Sequence, residues 1–240
     1  MLSLGRLRRA IHPLVLRYWL KPRAGKKIKT RVAGLDLEVF PGVFHPRYFG
    51  SSSILARFVD SLPLRQKSFL EVGCGSGVVS LCAARRGALV TAVDINPDAV
   101  RCTAANATRN ALTVDCRVSD VFSAVENMTF DVIAWNPPYL PGVPQSLPKA
   151  AFFGGDDFEV IRRFADGLKG HLNRDGAAYT IVSADIDVEK IEGIFGACGF
   201  SVLRAFSARW ALVEKMIVLC ARASNREAQA RQRAALNNDV

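Results

Sequence analysis

A regular alternation of apolar strand-like runs with helical segments, beginning at residue 67, most constrains how this chain can fold. Runs with the composition of buried strands alternate with segments of helical periodicity, which is typical of strand–helix units. Five such units are followed by two strand-like segments in succession, 200–208 and 210–222. The pattern predicts an α/β fold with a doubly wound, mostly parallel seven-stranded sheet and an antiparallel hairpin at one edge.

Composition divides the chain into three regions. Residues 1–45 are predicted to form a basic helix and a β-hairpin, residues 46–222 one core domain, and residues 223–240 a polar, disordered tail. Within the core domain, the three serines 51–53 are suited to cap the helix that follows them. Asp156 or Asp157 is predicted to cap the helix after the fourth strand of the core.

The net charge of +10 comes from one end of the chain. Residues 1–31 contain ten Lys or Arg side chains and no acid, and the other 22 of the 32 basic residues equal the 22 acidic ones. Such a segment indicates contact with RNA or another anionic surface, although a solvated arm explains the charge equally well. An organelle transit segment and an amphipathic helix on a membrane surface are further alternatives.

Cysteine usage and hydropathy indicate a cytoplasmic protein without a metal site. No run of about 18 uncharged apolar residues is present, so no membrane-spanning segment is expected. No cysteine pair has C-x-x-C spacing and no His stands at zinc-ligand spacing from one, so we expect reduced core thiols in a reducing compartment. The six cysteines are Cys74, Cys82, Cys102, Cys116, Cys198 and Cys220, and most of them lie in apolar runs.

A glycine-rich turn, Glu71-Val72-Gly73-Cys74-Gly75-Ser76-Gly77, follows the first strand of the core domain. Its glycines permit a sharp backbone turn and the close approach of a ligand, and ligands of doubly wound sheets bind at the carboxyl ends of the strands. We therefore predict that Gly73, Gly75 and Gly77 form a cofactor cradle. An ordinary loop remains the alternative.

An acidic residue stands near the end of each of the first three strands of the core. Glu71 is suited to a cationic amino group, Asp94 to both hydroxyls of a ribose, and Asp120 to the amino group of adenine. An ammonium, a sulfonium and a ribose are the features of S-adenosyl-L-methionine, which we predict as the cofactor. Helix capping by the three acids is the alternative.

A second turn, Asn136-Pro137-Pro138-Tyr139, follows the apolar run FDVIAW. The Asn136 side-chain oxygen and the Pro137 carbonyl can accept hydrogen bonds from both N–H groups of a planar amide or aromatic amine. The two prolines lack N–H groups and fix φ, and Tyr139 can stack on a planar target. The turn predicts methyl transfer to a planar nitrogen, with the loop 141–150 as a lid over the substrate.

Together, the sequence EVGCGSG, Asp94, Asp120 and the N-P-P-Y turn resemble the class I N-methyltransferases that act on glutamine amides or exocyclic amines, in particular the release-factor glutamine methyltransferases. The resemblance runs from about residue 38 to 221 and includes the VFHPR turn and the segment 151–176. It implies the Rossmann-like class I methyltransferase fold. By this resemblance the residues that bind S-adenosylmethionine are Gly73, Gly75, Asp94 and Asp120, and those that hold the target amide are Asn136, Pro137 and Tyr139. Asn136 is also predicted to contact the cofactor.

The chain departs from the larger bacterial members of that family in two places. Only about 45 residues precede the core domain, and the P-R turn continues with Tyr48-Phe49-Gly50-Ser51-Ser52 where those members have an acid and a threonine. Three hypotheses follow. The acceptor is a glutamine amide in a protein of the translation apparatus, or an exocyclic base nitrogen of RNA or DNA. Alternatively, the protein methylates a small molecule or binds the cofactor without catalysis.

Overall fold

The computed structural model describes residues 25–210 and 214–224. The predicted N-terminal helix, most of the basic segment and all but the first two residues of the polar tail lie outside the described residues. Within the described part, no helix is long and apolar enough to cross a lipid bilayer.

Within residues 25–210 and 214–224, nine strands form two sheets. The first two make the predicted hairpin, which turns at Ala33 and Gly34 with left-handed φ values of 51° and 80°. The other seven form one sheet. The strands are β1 (Ile28–Val32), β2 (Leu35–Val39), β3 (Ser68–Val72), β4 (Leu89–Asp94), β5 (Asp115–Val118), β6 (Phe130–Trp135), β7 (Leu172–Ser183), β8 (Phe200–Trp210) and β9 (Glu214–Ala223).

The seven-stranded sheet has the order β5-β4-β3-β6-β7-β9-β8. Strands β3 to β7 are parallel, and β9 pairs antiparallel with both β7 and β8. The predicted doubly wound sheet with an antiparallel edge is confirmed. The strand order reverses between β3 and β6, so their carboxyl ends flank the crevice where ligands of such sheets bind.

Six α-helices connect the strands of the described chain. They are α1 (Ser51–Asp60), α2 (Val78–Arg85), α3 (Pro97–Arg109), a short α4 (Leu147–Ala150), α5 (Glu159–His171) and α6 (Val188–Ala197), with a 3₁₀ turn at Asp156–Phe158 directly before α5.

The caps differ from the prediction at two helices. Gly50 occupies the cap position of α1, so the three serines fall within its first turn instead of before it. Phe158 precedes α5 in a left-handed conformation, and neither Asp156 nor Asp157 caps that helix. The Asp157 carboxylate pairs with Arg162 instead, at 2.7 Å. Asp157 also pairs with Lys190 of α6, a contact between distant parts of the sequence that a local reading does not reveal.

Two hydrophobic layers cover the sheet. One contains buried residues of α1 and α2 together with Leu35 and Leu37 of the hairpin. The other contains buried residues of α5 and α6. Strand β7 supplies alternate residues to the two layers, Tyr179 to the first and Ala178 to the second, as the two-residue period of a strand requires. Both faces are therefore closed, which leaves the strand ends as the place for a site.

Candidate active site

A cavity of about 330 Å³ lies at the carboxyl ends of β3, β4 and β6. Its walls come from the glycine-rich turn, the turns after β4 and β5, and the start of the N-P-P-Y turn. Two further segments complete it: the loop 42–44 and parts of the chain between 143 and 163. The cavity thus lies at the switch point of the sheet and is bounded by both turns that the sequence singled out.

Gly73 and Gly75 line the cavity in left-handed conformations, with φ values of 68° and 52°. The turn is tied to the next strand by a hydrogen bond of 3.0 Å from the Cys74 N–H to the Val93 carbonyl. The wall here is backbone without Cβ atoms, which suits a ligand that must approach the main chain closely.

Gly77 lies at the start of α2 and does not line the cavity. Its φ is 82°, and a Cβ there would come within 2.8 Å of the Thr103 Cγ2 atom of α3. The Thr103 hydroxyl in turn donates to the Gly75 carbonyl at 3.2 Å. Gly77 therefore serves the close packing of two helices that hold the turn, and the structure lends no support to direct contact with a ligand.

Asp94 ends β4 and lines the cavity. One carboxylate oxygen accepts from the Gly75 N–H and the other from the Asn96 N–H, both at 2.9 Å. Burial raises the pKa of Asp94, and these two hydrogen bonds oppose that shift. The carboxylate is held in one orientation, and each oxygen keeps a lone pair for a further donor.

Asp120 lies at the rim of the same cavity and is held by an ion pair. Its carboxylate accepts from the Arg163 guanidinium of α5 at 2.6 Å, and its backbone N–H donates to the Ser123 hydroxyl at 3.0 Å. Both Asp120 and Arg163 line the cavity and are half exposed. Sequence reasoning found Asp120 but missed Arg163, because the two residues are 43 positions apart.

Glu71 is placed elsewhere than predicted. Its side chain is buried beneath the glycine-rich turn and does not line the cavity. One carboxylate oxygen accepts from both the backbone N–H and the hydroxyl of Ser80 in α2. Burial raises the pKa of Glu71 to about 8, although the bonds from Ser80 oppose this. These contacts make Glu71 a brace between β3 and α2, and they give no support to a pairing with a cationic ligand group.

Asn136 lines the cavity directly after β6. Its side-chain amino group donates to the hydroxyls of Ser51 and Ser52, each at 3.0 Å, across more than 80 residues of sequence. Both hydrogens of the amide are thereby engaged by the first turn of α1, and the Oδ1 atom remains to accept from a bound group. The serines were predicted as helix caps, and no local signal indicated this contact.

The rest of the N-P-P-Y turn is mostly turned away from the cavity. Pro138 lines the cavity. Pro137 is buried and does not line the cavity, and the Tyr139 ring packs against the core layer of α5 and α6. A Cβ on Gly154 would overlap the Pro138 carbonyl oxygen, and the Gly154 N–H donates to the Leu140 carbonyl at 3.0 Å. The turn is thus braced from behind by the segment 152–155.

Three phenylalanines that the sequence did not single out as a unit cluster beside the cavity. The ring centroids of Phe44 and Phe49 are 4.7 Å apart, and Phe152 lies 5.4 Å from the first and 5.2 Å from the second. This cluster joins the loop before α1 to the segment after the N-P-P-Y turn. Val143 and Leu147 of the predicted lid also line the cavity, and their exposed fractions are 75% and 47%.

Two aromatic side chains pack close to α1 and the loop before it. His45 stacks on Tyr48 at 4.0 Å and does not line the cavity. Trp210 packs against Gly50, where a Cβ would overlap the indole ring. Within residues 25–210 and 214–224, no group of three or more His, Cys, Asp or Glu side chains could hold a metal ion.

Comparisons with known proteins agree with this geometry. A family model described as "Methyltransferase small domain" matches residues 35–204. A protein of Methanocaldococcus jannaschii, provisionally named a protein N5-glutamine methyltransferase, is 36% identical over 161 residues, covering 64% of this chain and 78% of the relative. The release factor glutamine methyltransferase of Koribacter versatilis is 36% identical over 158 residues, covering 60% of this chain but 56% of its own length.

One solved structure extends the comparison to the fold. The 16S rRNA N2 G1207 methyltransferase of T. thermophilus, in complex with AdoMet and guanosine, matches with a TM-score of 0.62 at 23% identity. The match covers 82% of this chain and 50% of that one. At this identity the likeness establishes the class I methyltransferase architecture.

Proposed function

The chain belongs to the methyltransferase small domain family, and we propose that it transfers a methyl group from S-adenosyl-L-methionine to the side-chain amide of a glutamine in a protein substrate. The observation that carries the proposal is the Asn136 side chain at the cavity wall, with its amino group held by two serines. This arrangement reserves Oδ1 for hydrogens on an acceptor nitrogen.

The residues around the cavity fit the cofactor. Gly73 and Gly75 leave a wall of backbone with no Cβ, and the Asp94 carboxylate has two oriented oxygens for the hydroxyls of a ribose. The Asp120 carboxylate at the rim is suited to the amino group of adenine. When bound, S-adenosylmethionine supplies an electrophilic methyl group on a sulfonium. Glu71 and Gly77 are left out of the proposed contacts because they do not line the cavity.

The contribution of the chain to the reaction is to hold the acceptor nitrogen. An amide nitrogen is a poor nucleophile because its lone pair is delocalised, so its orientation matters. Asn136 Oδ1 accepts one of its hydrogens and stabilises positive charge that develops on the nitrogen. Pro137 and Tyr139, which the sequence predicted to hold the target, do not line the cavity and are left out of the proposed contacts. Correct placement of the acceptor beside the cofactor contributes several kcal/mol, on the order of what proximity supplies in enzymes.

The mouth of the cavity favours a protein over a nucleic acid as the acceptor. Val143 and Leu147, which line the cavity, are 75% and 47% exposed. Among the described residues that line it, Arg163 is the one cationic side chain, and its guanidinium is paired with Asp120. A nucleic acid would be expected to meet unpaired Lys or Arg near the site for its phosphates. An apolar mouth instead suits a protein segment, such as a loop of a translation release factor.

The second candidate function is methylation of an exocyclic base nitrogen in RNA or DNA. It is favoured by the ten basic residues among positions 1–31, which would supply phosphate contacts. It is also favoured by the fold shared with an enzyme whose name specifies N2 of a guanine in 16S rRNA. Methylation of a small molecule would need no macromolecular contact at the mouth and has no observation in its favour.

Labelled methyl transfer to a whole-cell extract tests the proposal. We expect that the purified full chain transfers radioactive methyl groups from S-adenosylmethionine to material that protease removes and nuclease leaves intact. Asn136→Ala is expected to reduce this transfer by about 100-fold or more, comparable to loss of one charge-stabilising group in other enzymes. Asn127→Ala, at an exposed position, is the matched control and should transfer label at the wild-type rate.

Two outcomes would contradict the proposal. Label that is lost with nuclease and survives protease would replace the protein acceptor with a nucleic acid. Full transfer by Asn136→Ala would remove the proposed role of the N-P-P-Y turn for either acceptor. Binding of S-adenosylhomocysteine, measured by calorimetry, shows that each variant retains a folded cofactor site.

A further inference from the structure

The first turn of α1 contacts the proposed catalytic amide although it belongs to a distant part of the sequence. The hydroxyls of Ser51 and Ser52 each lie 3.0 Å from the Asn136 Nδ2 atom. Ser51 is buried, and Ser52 lines the cavity. A pair of adjacent hydroxyls around one amino group gives each of its two hydrogens an acceptor.

The serine pair is itself held in place on three sides. The Ser53 hydroxyl donates to the Pro46 carbonyl at 2.7 Å, which ties the start of the helix to the preceding loop. The Ile54 N–H donates to the Gly50 carbonyl at 2.9 Å, which closes the first helical turn. Trp210 of β8 packs directly on Gly50. The hydroxyls therefore present a fixed pair of acceptors to Asn136.

Orientation of the amide matters because asparagine presents an acceptor on one side and donors on the other. The χ2 torsion of an asparagine has a broad, roughly two-fold profile, so an unrestrained side chain exchanges the positions of its oxygen and nitrogen. If the Nδ2 atom of Asn136 pointed toward the cavity, the N–H groups of Asn136 would face the N–H groups of an amide acceptor. That arrangement would lose the hydrogen bond and repel the substrate.

We propose that Ser51 and Ser52 are positioning residues that fix the Asn136 amide with its oxygen toward the acceptor nitrogen. The inference rests on the proposed function and assigns a task to the first turn of α1. The serines touch Asn136 and act on the reaction through it. Their loss is expected to lower the rate of transfer and to leave the contacts of Gly73, Gly75 and Asp94 in place.

The paired variant Ser51→Ala/Ser52→Ala tests the inference in the full chain. We expect the maximal rate of label transfer to a whole-cell extract to fall about tenfold, since two hydrogen bonds that orient the amide are lost. The KM for S-adenosylmethionine should stay within about twofold of wild type. The single variant Ser52→Thr keeps a hydroxyl and should retain most of the rate. Ser61→Ala, at the other end of α1, is the control, because its hydroxyl bonds only to the Phe58 carbonyl.

A spectroscopic measurement gives a readout that does not depend on the acceptor. In protein labelled with ¹⁵N-asparagine, the side-chain amide signals of Asn136 are assigned by their absence from Asn136→Ala. We expect slow hydrogen exchange at this amide in wild type and in Ser61→Ala, and at least tenfold faster exchange in the double alanine variant, because buried hydrogen bonds protect amides from solvent.

The outcomes separate the inference from the proposed function. If Asn136→Ala abolishes transfer while Ser51→Ala/Ser52→Ala matches wild type in both rate and exchange, the positioning role is overturned and the proposed function stands. If Asn136→Ala transfers label at the wild-type rate, the proposed function falls and the inference falls with it. Should the double variant fail to fold, Ser52→Ala alone is expected to show the same effects at smaller size, and wild-type behaviour of that variant overturns the inference.

Discussion

The two halves of the cavity are built in different ways. On the proposed cofactor side, groups close in sequence face each other: Asp94 accepts from Gly75 and Asn96, at separations of 19 and two residues. On the proposed acceptor side, Asn136 is held by Ser51 and Ser52, at separations of 85 and 84 residues. The first half follows from the ends of neighbouring strands, whereas the second depends on a loop and a helix packed above them.

This difference explains why the glycine-rich turn was readable from the sequence, whereas the contact of the serines with Asn136 was not. A turn after a strand needs glycine at positions of positive φ, and such a requirement is visible in local sequence. A contact between two serines and a distant asparagine places no demand on the residues next to either partner. We therefore expect substitutions to affect the two halves separately, and four predictions test that separation, from the largest effect to the smallest.

Asp94→Ala is expected to disable the cofactor side alone. The substitution removes two acceptors for ribose hydroxyls and leaves the Gly75 and Asn96 N–H groups without their partner. Each hydrogen bond to a charged group contributes about 1.5–3 kcal/mol, so affinity for S-adenosylhomocysteine should fall at least about 100-fold. Calorimetry measures this, with Asp115→Ala, an exposed partner of Arg117, as the control. The Asn136 side-chain amide should keep its wild-type rate of hydrogen exchange. Affinity for S-adenosylhomocysteine within fivefold of wild type would contradict the assignment of Asp94 to the ribose.

Gly50→Ala is expected to damage the acceptor side alone. A Cβ at this position would overlap the Trp210 indole and displace the turn that carries the serines. Overpacking of this kind costs about 1–3 kcal/mol, which urea denaturation will detect. Label transfer should fall about tenfold or more while S-adenosylhomocysteine affinity stays within twofold. Gly193→Ala, where a Cβ meets open space, is the control. Equal losses of label transfer and of S-adenosylhomocysteine affinity would show that the two halves of the cavity are coupled.

Glu71→Gln tests whether the buried acid of the cofactor side is a structural brace. Burial raises the pKa of Glu71 from 4.5 to about 8, so the folded chain retains a proton that the unfolded chain releases. The free energy of unfolding of wild type should therefore decrease as the pH rises from 4.5 to about 8, and level off above this, by up to about 1.4 kcal/mol per pH unit.

The glutamine variant lacks this contribution. Relative to it, wild type should lose roughly 2 kcal/mol between pH 6 and 8, measured by urea denaturation across that range. Glu126→Gln, at an exposed position, is expected to follow the wild-type slope. Cofactor affinity should remain within twofold in Glu71→Gln. Two results would contradict the structural role of Glu71: an equal pH dependence of the unfolding free energy in wild type and Glu71→Gln, or a large loss of cofactor affinity in the variant.

Arg163→Gln should produce the smallest effect, at the rim of the cofactor side. The Asp120–Arg163 pair is half exposed, and such pairs contribute about 0.2–1 kcal/mol. Affinity for S-adenosylhomocysteine should therefore fall about two- to fivefold, and affinity for an analogue that lacks the 6-amino group should not change. Arg162→Gln, which loses only a pairing with Asp157, is the control. An equal loss for both ligands would mean that Arg163 does not act through Asp120.

The architecture was predictable to a large extent because it depends on periodicity. Alternating apolar runs predicted the seven-stranded sheet, its antiparallel edge and the hairpin around Ala33 and Gly34, and all are observed. The predicted caps of α1 and α5 were wrong, because capping competes with other partners that folding brings close. Ser51 and Ser52 bind Asn136, and Asp157 pairs with Arg162.

The sequence by itself determined the order of elements, the position of the cavity at the strand ends, and the residues Gly73, Gly75, Asp94, Asp120 and Asn136 along its wall. The order of elements follows from the periodicity of apolar residues, and the wall residues follow from turns at the ends of the strands. Only the tertiary structure decided that Glu71 and Gly77 lie behind that wall, that Arg163 meets Asp120, and that two serines hold the Asn136 amide. Those facts depend on which surfaces pack together, over separations from nine residues for Glu71 and Ser80 to 85 for Ser51 and Asn136, and such packing leaves no periodic or local signal.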